Sequence, residues 1–196
     1  MVTLLALLTP VSMVNAFVLR FGRAIGVFAV AMMVTAILIQ VFYRYILNNA
    51  LPWPDEAARF CMLWMTGLMA PTAFRRGGFV AIDMITRFLP RVIGASLSLF
   101  LLCVSMLVLV VATKIGWSEV TGFGGRFATA SLYVPTSFAF DEWFRVPRSW
   151  MMASMLVGVI LLLAVNIELI MRSVITLFGG AAAMPEIRNA ETVGTE

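Results

Sequence analysis

Three stretches of this chain, each bounded by charged residues at both ends, run for about the thickness of a bilayer without a charge between them. Ala24–Tyr43 spans twenty residues, Val92–Thr113 twenty-two and Ser149–Ile167 nineteen. At ~1.5 Å of rise per residue, each covers a hydrocarbon core of roughly 30 Å as a helix. A soluble domain is about half apolar and about a quarter charged. This chain is 62% apolar and 12% charged, with a mean hydropathy of +0.99. That excess is too large for the core of a 196-residue globule, so the solvent implied is lipid. The net charge of +4 comes from arginines and Lys114 that flank the apolar runs. They form no basic patch of the kind that binds nucleic acid.

A further span lies between the first and second of these. Phe60–Phe74 has only fifteen uncharged residues, but extension back to Pro54 makes a helix of about 31 Å. The stretch before it, "YRYILNNALPWPDEAARF" (43–60), gathers two acids and two arginines into a short turn. Leu51 and Trp53 each precede a proline and are pushed toward extended backbone. Pro54 suits a first helical position, and Asp55 and Glu56 meet the positive end of the helix dipole. Arg59 lies within pairing distance along the helix of both acids. Arg44 and Tyr45 close the preceding helix, with Trp53 at headgroup depth. The stretch therefore reads as a helix start at the membrane surface. It also reads as a polar corner in which Arg44, Asp55, Glu56 and Arg59 neutralise one another or meet a partner, with Asn48 and Trp53 as companions of that contact.

Met1–Leu19 carries no charge, but no positive region precedes it as in a signal peptide. Only Arg20–Arg23 separate it from the first span, so it is expected to lie as a separate helix at the interface. The connection after "RRGG" (75–78) reads as a short amphipathic helix. Asp83 precedes Arg87 by four residues, with Arg76 and Arg91 on roughly the same stripe, and Arg75 is counted with this interfacial helix. It suits a membrane surface or a partner. The connection Lys114–Pro147 is rich in glycine and aromatics and reads as an interfacial or re-entrant segment. Its "GFGG" lacks the lysine of a phosphate loop and the spacing of a dinucleotide fingerprint. The expected domain plan is thus an interfacial helix at 1–19 and a four-helix membrane domain at 20–175. Its spans fall near 24–43, 54–74, 92–113 and 149–167, and a flexible tail follows at 176–196. The fold class is an all-α integral membrane protein with four transmembrane helices plus interfacial amphipathic helices.

The chain has no histidine, which removes the usual general base, the commonest metal ligand and the axial ligand of a b-type haem. Cys61 and Cys103 are isolated in different spans, unlike the paired thiols of a disulfide oxidase. A proton-coupled exporter calls for an acid within a span. None is expected here, with Glu168 placed near the end of the last span. Neither catalysis, a cofactor nor a metal is expected. Gly22/Gly26 and Ser154/Gly158 are small residues at the four-residue spacing that permits close helix packing.

"YRYILNNALPWPDEAARFCMLW" followed by "AFRRGGFVAID" resembles the small permease subunit of the tripartite ATP-independent periplasmic (TRAP) transporters, the DctQ type. The similar features are the "RY-hydrophobic-hydrophobic-N" run at Arg44–Asn48 and the "W-x-x-E" helix start at Trp53 and Glu56. A third is the run through Arg75, Arg76, Gly77, Val80, Ile82 and Asp83, whose family histidine is Phe79 here. "LYVPTSF" is similar to the segment before the last family helix. The resemblance covers roughly residues 20–175.

It implies a four-helix subunit without a substrate site that extends the static scaffold of a large, elevator-type permease. Its partners would be that permease, a periplasmic substrate-binding protein and membrane lipids. Sodium would bind the large permease, and the substrate would be an organic acid. A bacterial inner-membrane location is implied. An accessory subunit of another complex, such as a tripartite tricarboxylate transporter, is the main alternative. An autonomous small transporter is a further one. Orientation follows from charge. With both termini cytoplasmic, eight arginines fall inside, against five arginines or lysines outside. Thiol labelling of a cysteine placed at Asn49 is expected from the periplasmic side only, and labelling from the cytoplasm would reverse the assignment.

Overall fold

The computed structural model describes residues 2–76, 91–135 and 143–178. Four helices dominate: α1 (Val2–Tyr45), α2 (Trp53–Arg75), α3 (Arg91–Thr121) and α4 (Ser149–Leu177). Between α3 and α4 lie a one-turn 3-10 helix (Phe123–Arg126) and two antiparallel strands. These are β1 (Ala128–Pro135) and β2 (Trp143–Pro147), with Tyr133 opposite Arg145 and a register shift between Ala128 and Tyr133. The all-α expectation is therefore corrected in this connection. The residues read as an aromatic interfacial segment, "ATASLYVP" and "WFRVP", are also the β-branched and aromatic types that favour strands.

Among the described residues, three helices are long and apolar enough to cross a membrane: Leu7–Tyr45, Ile93–Thr121 and Ser149–Leu177. They carry three of the four expected spans. Helix α2 matches the bounds expected for the fourth but does not meet the same criterion. Asp55, Glu56 and Arg59 dilute its first turns. The first expected boundary also moves. Residues 1–19 are not a separate helix as expected, because α1 continues unbroken through Pro10 and Arg20–Arg23. No residue near position 20 breaks a helix, and 44 residues make a rod of about 66 Å. Similarly, α3 passes Lys114 and ends only at Gly122, whose N–H donates to the Ser118 carbonyl at 2.8 Å. Helix α4 passes Glu168 and ends at Leu177.

Along α1, buried or half-buried positions recur from Leu8 to Gln40 by alternating steps of four and three residues. This is the 3.5-residue period of a left-handed helix-packing seam. The remaining faces expose apolar side chains such as Phe17, Phe21, Phe28 and Leu38. By contrast, α2 is exposed mainly along a narrow stripe through Asp55, Arg59, Met62, Thr66 and Ala73.

The chain divides into two compact units, each drawing on all four helices. The first comprises 1–21, 70–112 and 159–196, and the second 22–69 and 113–158. In the second unit, Gly67 of α2 meets Ser154 and Gly158 of α4 backbone to backbone. A Cβ built on Gly158 would lie 2.7 Å from the Gly67 Cα and 2.8 Å from its carbonyl oxygen. Gly22 and Gly26 of α1 face Leu68 and Met69 of α2. Both small-residue pairs singled out in the sequence thus lie at helix contacts, where missing side chains let backbones approach. Pro71 also leaves the Gly67 carbonyl without its usual helical donor, next to the α2–α4 contact.

Gly158→Leu should therefore force α2 and α4 apart in the second unit. The expected cost is about 1–3 kcal/mol or more from overpacking, because the obstructing atoms are backbone. Gly26→Ala meets the Met69 side chain at Cγ and Sδ, not backbone, and is expected to cost less. Thermal unfolding of the two variants in detergent checks that order.

Candidate functional site

In the first unit, α1, α2 and α4 converge on one carboxylate. Glu168 is completely buried, and its two oxygens accept five N–H donors. Arg75, the last residue of α2, grips it as a fork, with Nη2 donating to Oε1 at 2.8 Å and Nε to Oε2 at 3.0 Å. Arg172, one turn along α4, donates Nε and Nη2 to Oε1 at 3.1 and 3.0 Å. Asn15 of α1 donates its amide to Oε2 at 2.9 Å and to the Ala164 carbonyl at 3.2 Å. Arg75 Nη2 also reaches the Ser12 carbonyl and hydroxyl, both at 3.1 Å. The arginine side chains are 13% and 12% exposed. Such charge-assisted, bidentate pairs are what makes a charge tolerable inside an apolar helix bundle.

This cluster corrects two expectations. Glu168 is not at the end of its helix, since α4 continues to Leu177, so an acid does lie within a spanning helix. Arg75 is not part of a surface helix but closes α2 and pairs inward, with Arg76 in the turn that follows. Asp83 and Arg87, and with them the expected amphipathic helix, lie outside the described residues. The sequence did hold one signal for the cluster. Glu168 and Arg172 stand four apart, acid first, in an otherwise apolar helix.

In the second unit, the expected polar corner is arranged around Glu56. Its carboxylate accepts the Ala130 N–H at 2.9 Å, the Ser131 N–H, and the Ser131 hydroxyl at 2.7 Å. That hydroxyl also lies 2.9 Å from the Pro52 carbonyl. Glu56 therefore ties the start of α2 to β1. Arg145 of β2 braces the same strand, donating to the Ala130 carbonyl and lying 5.3 Å over the Tyr133 ring. Trp53 lines a cavity of ≈ 760 Å³ with Pro52, Ser131, Tyr133 and Trp143.

Mutual neutralisation is not what joins the corner. Among the described residues, no ion pair links Arg44 or Arg59 to Asp55 or Glu56. Arg44 lies over the Tyr45 ring at 5.9 Å, and Asp55 and Arg59 are exposed. Asn48 has a backbone role. Its φ of 50° lets the chain turn after α1, where the Asn49 N–H closes on the Tyr43 carbonyl at 3.0 Å. Asparagine is among the few residues that adopt this left-handed conformation readily. Among the described residues, no group of three His, Cys, Asp or Glu side chains is placed to hold a metal ion.

Glu168→Ala removes the sole carboxylate from between two partly buried guanidinium groups. The expected destabilisation is about 3–5 kcal/mol, that of breaking a buried pair. Arg172→Ala leaves the Arg75 fork in place and should cost less. Glu119→Ala, on an exposed face of α3, should stay within about 0.5 kcal/mol of the parent. Unfolding of the three variants in one detergent tests the order, and equal effects of Glu168→Ala and Glu119→Ala would contradict it.

Among protein families, the one described as "Tripartite ATP-independent periplasmic transporters, DctQ component" matches residues 32–176, well over half of the chain. No curated protein and no solved structure matches it.

Proposed function

The chain belongs to the DctQ component family of the TRAP transporters, and from that premise we propose that it acts as the static wall of a sodium-driven uptake system. The family is the small membrane subunit of a tripartite transporter, not an enzyme family, and the apolar helices make this member a multi-pass membrane protein. Beyond this, the proposed partners are a large elevator-type permease, which binds substrate and sodium, and a periplasmic protein that delivers an organic acid. The proposed setting is the bacterial inner membrane with both termini cytoplasmic, and no cofactor is assigned to this chain.

The observation that best supports this division of labour is the state of Glu168. Intramembrane acids are the usual sites of ion and proton coupling. Here all five donors to the carboxylate come from the protein, and two of its partners are cations. A sodium ion would have to displace arginine forks from a site that already carries an excess positive charge. Described residues offer no other fully buried carboxylate for coupling. The exposed apolar faces of α1 and α3 supply perimeter against lipid or the large permease. At the corner, the exposed Arg44 and Asp55 are proposed to face that permease.

Uptake into proteoliposomes, with each component omitted in turn, tests the proposal. The expected result is sodium-driven uptake with all three components and none by this chain alone. Omission of this chain should abolish assembly or activity. Substrate uptake by the chain alone would refute the wall function. Full uptake without it would show that the permease needs no such support.

A further inference from the structure

The second unit contains a cavity of ≈ 510 Å³ beside the corner, bordered also by Ala128, Thr129 and Ala130 of β1. Glu56, Arg59 and Leu63 of α2 line one side, and Arg148, Met151 and Met152, at the start of α4, line the other. The charges do not cancel. The Glu56 carboxylate is turned to the β1 amides and the Ser131 hydroxyl. Among the described residues, neither the Arg59 nor the Arg148 guanidinium is hydrogen-bonded or ion-paired, and Asp55, one turn above Arg59, forms no ion pair with it.

The two walls also share a polarity. On α2, Arg59 precedes Leu63 by one turn, and at α4 Arg148 precedes Met151 and Met152 by about one turn. Glu56, engaged with β1, lies nearest the start of α2; beside it the cavity is cationic at Arg59 and Arg148, and it is apolar toward the helix interiors. Trp53 and Trp150, exposed at the same helix starts, are of the residue type enriched at headgroup depth.

We propose that this cavity is a binding site for a phospholipid of net negative headgroup, its phosphodiester held between Arg59 and Arg148 and its glycerol and upper acyl chain against Leu63, Met151 and Met152. Guanidinium groups bind phosphate oxygens in bidentate, charge-assisted pairs. The apolar floor and the volume favour a lipid over a free ion. At about 30 Å³ per water, the cavity holds on the order of fifteen waters, far more than one phosphate displaces. An acidic side chain of a protein partner would satisfy the arginines but leave the apolar floor unfilled.

Native mass spectrometry of the full chain, released from detergent containing either phosphatidylglycerol or phosphatidylcholine, tests the site. The wild-type chain should retain phosphatidylglycerol in preference, and excess inorganic phosphate should not displace it. R59Q/R148Q should lose about tenfold in retention, equivalent to ~1.4 kcal/mol, while R126Q, outside the cavity, should not change. Equal retention of the two lipids by the wild-type chain overturns the proposal without recourse to any variant. So does undiminished phosphatidylglycerol retention by R59Q/R148Q. Displacement by inorganic phosphate would make it a small-anion site instead. Loss of the copurifying large permease from R59Q/R148Q, with lipid retention intact, would make it a protein contact. If R59Q/R148Q does not fold, R59K/R148K takes its place, retaining charge but losing the planar forks, and should fall between the two.

Discussion

A carboxylate with no access to water, carried by a helix apolar enough to span a membrane, imposes conditions on everything around it. Ionised, it must be met by cations and N–H donors that the protein itself supplies. For Glu168 the supply comes from three helices, so α1, α2 and α4 are held in register at Asn15, Arg75 and Arg172. The same rule governs smaller groups. Thr35, Thr66, Thr121 and Thr176 each return their hydroxyl to the carbonyl one turn back in their own helix. Asn166 spends its amide on the Leu102 carbonyl of α3. Three buried polar atoms, on Trp64, Thr72 and Asn166, have no partner among the described residues, and nothing in the structure explains them.

The glycine contacts work by a different principle. Lipid chains are as apolar as leucine, so helices in a membrane gain little by hiding hydrocarbon from them. What remains is close fit and polar pairing. The second unit uses fit, through Gly67 against Ser154 and Gly158, whereas the first uses pairing, through Glu168. Each unit also spends one carboxylate on its own architecture. Glu168 holds helices together, while Glu56 holds a strand to the start of a helix. Two backbone N–H groups and one hydroxyl suffice for Glu56, whose site is less enclosed.

How much of this was legible in the sequence depended on the range of the interaction. Uncharged runs fixed the cores of the spans because the criterion is local. The start of α2 was equally readable, since proline and the first-turn acids act within a few residues. The small-residue pairs could be listed but not matched to their opposing surfaces. The Glu168 cluster shows where local reading fails: its i,i+4 partner was visible, but Asn15 and Arg75 come from sequence distances of 153 and 93 residues. Lacking those partners, the reading placed the acid at a helix end, where water would do their work. Asn48 failed for another reason: its side chain suggested a polar contact, whereas the fold uses its tolerance of a positive φ.

The strand pair explains why Trp53 and Glu56 belong together as a motif. A helix that starts with Asp55 and Glu56 gains from its dipole whichever acid sits there. That argument alone would make the two interchangeable. Only Glu56 faces β1, where it receives the amides of Ala130 and Ser131, while Asp55 remains exposed. Trp53, nearly one turn earlier, lines the adjoining cavity with Ser131 and Tyr133 of the same strand. The spacing of tryptophan and glutamate thus grips one strand from two sides. A pattern that looks like a helix-start signal is equally a strand-docking signal. This explains how the connection between α3 and α4 is held, at β1, by the first turn of α2.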